Sequence, residues 1–237
     1  MKLRYVALHI DSDSNYEDSF RYYFNDHSRF ISNYLSIKIR KFKFETDGTF
    51  KMISICPSMS IKHICRIVGD ASLQVRVLFN REAYEQMTEI EKNEYYLKLL
   101  EDGYNIASKH KSIPFENLLD LNQKFRQGGY INEWQHKRKQ LKNYGIEVSL
   151  ECSFTTQNFQ LSLYVNNVKT KEKIVSGVIF TTEPDEICYQ PLFKDIIFDD
   201  KHIIITEFLD KPKYIFKISD ILNGNFKFRI SKEGFKF

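Results

Sequence analysis

The chain has 237 residues, 42% of them hydrophobic, 15% aromatic and 28% charged, with a formal net charge of +4. This is the composition of a folded chain that can bury a sizeable core, and it excludes intrinsic disorder and a disulfide-built scaffold. No run approaches the roughly 20 apolar residues that a membrane span needs, and the positive excess is mild beside that of a strongly basic nucleic-acid-binding domain.

The opening "MKLRYVALHIDSDS" places a short apolar run behind a basic start and lacks a small-residue cleavage site, so it reads as the start of a cytoplasmic protein rather than a leader. Cys56, Cys65, Cys152 and Cys188 form no CxxC pair. A chain of this size needs no disulfides, and they are expected to be reduced.

Residues 3–10, "LRYVALHI", have strand length and β-rich composition. From Tyr16 the period changes: Phe20, Tyr23, Phe24, His27, Phe30, Ile31, Tyr34 and Leu35 recur at three and four residues, which predicts an amphipathic helix of about five to six turns. Asp13 or Ser14 is its expected N-cap, with Ser14 and Glu17 as a capping box. Two alternating runs in "SIKIRKFKFETDGTFKMISIC" meet at Asp47-Gly48, the signature of a β-hairpin. A strand is expected over 72–80.

A helical block follows. Thr88 and Glu91 make a capping box for a helix whose buried face carries Met87, Ile90, Leu97, Leu100, Tyr104 and Ala107, with Gly103 weakening it. Ser112 and Pro114 open a second helix that Gly128-Gly129 stops, and "YINEWQHKRKQLKNYG" predicts a third, ended by Gly145. Beyond Gly145 short alternating runs continue to the end, starting with a hairpin across "TTQN". The expected fold is therefore α+β: an N-terminal strand-helix-hairpin layer with a helical block over 1–145, then an antiparallel β meander over 146–237, either two domains or one continuous unit.

Chemistry is sparse. The cluster Asp11, Asp13, Asn15, Glu17 and Asp18 directly follows the first strand. An apolar strand ending in Asp-x-Asp resembles the nucleophile motif of haloacid dehalogenase-like hydrolases, and "IIFDD", with Asp199 and Asp200, resembles their late metal-binding acid pair. The resemblance covers these two scraps and implies a magnesium-dependent phosphohydrolase on a parallel, doubly wound sheet. Asn15 stands where that family has Thr or Val, and the expected hairpin and meander are antiparallel. A calcium loop fails on spacing, because Tyr16 and Tyr22 occupy the positions that need Gly and Glu. A helix N-terminus accounts for the same acids without a ligand.

His9, His27, His63, His110, His136 and His202 have no metal-ligand spacing, and the His63/Cys65 pair lacks a second pair to complete a zinc site. No Gly-rich phosphate loop, GxSxG or dinucleotide fingerprint is present. No catalytic residue, cofactor or metal is assigned, and the leading expectation is a non-catalytic protein that binds a protein partner. Its concrete form is a bacterial immunity or antitoxin protein that covers a toxin's active site.

The acids between residues 183 and 210 would supply the contact surface, through Glu183, Asp185, Glu186, Asp195, Asp199 and Asp200. The alternative is nucleic-acid binding through two basic-aromatic stretches, 38–44 with Lys41, Phe42 and Lys43, and 134–142 with Trp134, Lys137, Arg138 and Lys139.

Overall fold

The computed structural model describes residues 1–13, 15–60 and 64–231. Ser14, offered as a cap, and His63, offered beside Cys65, lie outside the described residues. The fold is α+β, and the chain forms two compact units, Met1–Asn132 and Glu133–Phe237. The break falls ahead of the basic stretch at 134–142 rather than after Gly145.

In the first unit β1 (Tyr5–Leu8), α1 (Asp18–Ile39), β2 (Met52–Ser58), β3 (Cys65–Val68) and β4 (Ser72–Leu78) are followed by α2 (Arg81–Glu85), α3 (Glu89–His110) and α4 (Phe115–Gln127). The sheet order is β1-β2-β4-β3, with β1 parallel to β2, β2 parallel to β4, and only β3 antiparallel. Parallel neighbours need a crossover, and α1 supplies it.

The expected hairpin at Asp47-Gly48 is therefore overturned. Residues 37–39 end α1, Arg40–Phe42 form a 3-10 turn, and β2 pairs with β1 and β4 instead of folding back on 38–44. Asp47-Gly48 does make a turn, in which Asp47 Oδ1 accepts from the Thr49 amide at 2.9 Å and Gly48 takes φ +90°. That turn joins the helix exit to a parallel strand. The local signal was correct and its strand partner was wrong.

Alternation along the strands separates two faces. Val6, Leu8, Ile53, Ile55, Leu73 and Val75 are buried, with α1 packed on β1 and α3 on β2 and β4. On α3 the Thr88–Glu91 capping box forms as expected, and Leu97, Leu100, Tyr104 and Ala107 are buried, whereas Ile90 is 70% exposed. Helix α1 starts at Asp18, with Glu17 at the N-cap position and no side-chain cap, which corrects the expected cap at Asp13 or Ser14.

A stripe on α1 meets the free edge of β1. The amides of Val6, Leu8 and Ile10 donate to Ser36 Oγ, Ser32 Oγ and Asn25 Oδ1 at 3.1, 3.0 and 2.8 Å. Ser28 Oγ donates to the Leu8 carbonyl at 3.0 Å. Small hydroxyls one helical turn apart thus replace a neighbouring strand and satisfy an otherwise orphaned edge.

The second unit holds two four-stranded sheets. The first has the order β5-β6-β7-β8, built from β5 (Asn132–Leu141), β6 (Ile146–Phe154), β7 (Phe159–Asn167) and β8 (Lys173–Thr182). The second has the order β12-β11-β10-β9, built from β9 (Asp195–Phe198), β10 (His202–Thr206), β11 (Pro212–Lys217) and β12 (Phe228–Ile230). Short helices α5 (Glu186–Tyr189) and α6 (Ile218–Leu222) lie in the connections.

The meander and the "TTQN" hairpin match expectation, but the predicted third helix is strand β5. Its Lys, Arg and Gln residues favour helices intrinsically, and this weak preference yields to edge pairing on β6, where charged side chains also discourage intermolecular pairing. Between the two sheets the Phe159 and Tyr189 rings stack at 3.7 Å. Gly177 admits the Phe226 ring, which a Cβ at that position would meet at 2.5 Å.

Candidate functional site

Asp11 lies just past β1 and does not stand alone in water. Its Oδ2 accepts from Gln74 Nε2 at 2.8 Å and pairs with Arg76 Nη2 at 3.1 Å, both charged side chains being 12% exposed. Arg66 Nε donates to Gln74 Oε1 at 2.9 Å and its Nη2 lies 3.7 Å from Asp13. Ser54 Oγ sits 3.5 Å from His9 Nδ1 and 3.4 Å from Cys56 Sγ.

The cluster follows from register. Ser54 faces Gln74 and Cys56 faces Arg76 across β2 and β4, on the sheet face opposite the aliphatic one. Burial pushes the Cys56 thiol up to about 11, which leaves it a thiol rather than a nucleophilic thiolate. Burial also holds His9 below its ordinary value, against the opposing pull of Asp11. The carboxylate that resembled a phosphatase nucleophile is engaged by an amide and a guanidinium. Its supposed partner Asp199 lies beyond an antiparallel strand in the other unit.

The acids singled out between residues 183 and 210 have local duties. Asp185 Oδ1 accepts from the Ile187 amide at 2.9 Å and caps α5, and Glu186 Oε2 accepts from Gln190 Nε2 at 3.3 Å. Asp195 lies between Lys139 and Lys137 at 3.0 and 3.5 Å. Burial would raise its carboxyl, but the Lys139 bond, the Ile196 amide and the charges of Lys139 and Lys137 together outweigh that and hold it below the usual carboxylate range. Asp199 Oδ1 accepts from the amides of Lys201 and His202 at 2.8 and 2.7 Å and from the His202 ring at 3.0 Å, closing the β9–β10 turn. Glu183 and Asp200 are exposed.

The two basic stretches differ. On β5, Lys137 and Lys139 pair with Asp195, Arg138 Nε lies 3.3 Å from Glu147, and Trp134 packs on Phe159 at 6.0 Å between ring centres. The cations of 134–142 are thus spent on Asp195 and Glu147 within one unit. Lys41, Phe42 and Lys43, by contrast, are exposed at the exit of α1. The fold brings other cations to them: the Leu3 amide donates to the Phe44 carbonyl at 2.9 Å and the Arg4 amide to the Lys51 carbonyl at 2.8 Å.

Sequence reading missed a further feature, the exposed apolar tip of the second unit. Phe208 and Leu209, in the β10–β11 turn, are 66% and 52% exposed, and Ile187 on α5 is 78% exposed. The Phe208 amide donates to the Pro191 carbonyl at 3.0 Å, which holds the turn against the α5 segment, and Lys194 Nζ meets Asp210 at 2.7 Å. The signal was present in "TEFLDKP", two large apolar residues inside a turn sequence.

Among the described residues, no three His, Cys, Asp or Glu side chains converge on a point where a metal could sit. No described helix is long and apolar enough to cross a membrane. Compared with protein families, characterised proteins and solved structures, the chain matches none.

Proposed function

We propose that the chain is a non-catalytic binding protein that recognises a basic protein partner through the tip of its second unit, in the cytoplasm where its four thiols stay reduced. The observation that carries this reading is the exposure of Phe208 and Leu209 on a turn that the Phe208–Pro191 hydrogen bond ties to the α5 segment, where Ile187 is exposed as well. Large apolar side chains held rigidly at a surface are the anchors that dominate interface energetics. Glu183, Asp185 and Glu186 lie along the same segment and would rim the contact, steering a basic partner and disfavouring an acidic one. An immunity protein covering the basic cleft of a toxin is the concrete form of this reading. Compared with the sequence reading, the anchor moves from Asp195 and Asp199, which are engaged internally, to the apolar tip.

Incorporation of a photo-crosslinking residue at Phe208 in native cells tests the proposal. A discrete adduct is expected at position 208, absent at the exposed control position Lys169, and lost when Leu209 and Ile187 are changed to Glu. Loss of such an anchor costs about 2 kcal/mol or more of binding energy. Identical adducts at 208 and 169, or adducts that survive the Glu substitutions, would overturn it.

A further inference from the structure

On the first unit, at the end where β1 and β2 begin and α1 finishes, the fold gathers Lys2, Arg4, Arg40, Lys41, Lys43 and Lys51. None of the six forms an ion pair among the described residues. The β5 cluster, by contrast, is spent on acids. The nearest acids are few: Glu45 faces Lys2 across a β-bridge, Asp70 sits in the turn before β4, and Asp47 is taken by Lys111 at 2.6 Å.

Two rings stand among these cations. Tyr5 is 40% exposed with the Arg40 guanidinium 5.9 Å from its centre, and Phe42 is 43% exposed between Lys41 and Lys43. Lys43 takes φ +52°, so the chain turns sharply there and projects the Phe42 ring from a fixed turn rather than from a strand.

We propose that this face binds single-stranded nucleic acid, with the unpaired cations on consecutive phosphates and Phe42 and Tyr5 as stacking platforms for bases. Phosphates and bases lie side by side along a strand, and here Lys41 and Lys43 flank the Phe42 ring while Arg4 precedes the Tyr5 ring. Every base has a face that can stack, so the contact requires unpaired bases and tolerates any sequence. Paired bases in a duplex offer no free face, and the surface presents neither a helix nor a ribbon to enter a groove. An anionic membrane would be held by apolar side chains as well as cations, and here Leu3 and Ile39 are buried, leaving Met1 as the exposed non-aromatic apolar chain beside Lys2. This site is independent of the protein-binding tip, which lies on the other unit.

Fluorescence anisotropy with the full chain and a labelled 12-nucleotide oligothymidine or oligouridine, between 25 and 200 mM salt, tests the proposal. Single strands are expected to bind with log affinity falling on log salt at a slope of about −3 to −4, for four to six phosphates at roughly 0.7 each. The K41E/K43E variant should make that slope shallower by about 1.4. F42A should lower affinity at least about fivefold with the slope unchanged. K137E/K139E, which changes cations already paired with Asp195, should leave binding as it was. Absence of binding at 25 mM salt overturns the proposal. So do equal affinity for a 12-base-pair duplex, indifference to F42A, and tighter binding to phosphatidylserine vesicles than to the oligonucleotides.

Discussion

At Gly103 two expectations of local chemistry oppose each other. Glycine costs about 1 kcal/mol relative to alanine inside a helix, so G103A would stabilise an isolated α3. In the folded unit the added Cβ would lie 2.4 Å from Ile55 Cδ1 and 2.8 Å from its Cγ atoms. Overpacking of that kind costs about 1–3 kcal/mol, and the neighbouring atoms belong to a side chain that is fully buried. G103A is therefore expected to lower the urea midpoint, and I55V, which removes Cδ1, to recover part of the loss; a G103A protein more stable than wild type contradicts the close approach. Asp11 teaches a related lesson. Its position after an apolar strand suggested a nucleophile, and the structure spends the carboxylate on joining β1 to β4 through Arg76 and Gln74. Nothing local in "HIDSDS" names those partners, which lie more than sixty residues away in sequence.

Among the elements, the long periodic helices were the most legible. Helices α1, α3 and α4 were expected from 3.6-residue spacing and end signals, and all three form. Failures came where periodicity was short or absent. Strand β5 carries mostly long polar side chains, and only its pairing with β6 decides that they form a strand. Helix α1 has a second role that its hydrophobic pattern conceals, because Ser28, Ser32 and Ser36 read as polar interruptions and in fact line the β1 edge. Removing one such hydroxyl leaves a partly buried amide unpaired, at a cost of about 1–3 kcal/mol. S32A is thus expected to destabilise the first unit by that amount and to speed hydrogen exchange at the Leu8 amide more than at the Ile55 amide. Equal protection at both positions after the substitution would show that the helix stripe does not hold the edge.

For the whole molecule, each unit carries a histidine that partial desolvation holds below its ordinary pKa, half-buried His9 in the first and His136, packed on the Phe193 ring, in the second. Their folded-state pKa values lie below the ordinary 6.5. As pH falls through 6.5 the unfolded chain therefore takes up protons that the folded chain does not, and stability is lost. Glu94 acts in the same direction at lower pH, since the Arg126 hydrogen bond holds its carboxyl below 4.5. Unfolding free energy from urea titrations is expected to be level near neutrality, to decline between about pH 6.5 and 5, and to decline less in H9Q; a flat profile from pH 7.5 to 5 contradicts the lowering of the histidine pKa values on folding.

The sequence by itself determined the α+β class, the three long helices, the Thr88–Glu91 cap and the strands of the C-terminal meander, because each follows from the spacing or chemistry of residues close together in the chain. Only the tertiary structure decided that β2 runs parallel to β1, that β5 is a strand, and that Asp195 pairs with the lysines of β5. It also decided which cations remain unpaired: Lys41 and Lys43 were visible as a basic run, but Lys2, Arg4 and Lys51 join them only through the bonds that tie β1 to residues 44 and 51. Strand direction, sheet edges and charge neutralisation depend on partners distant in the chain, and periodicity reports only which face of an element is buried, never what lies against it.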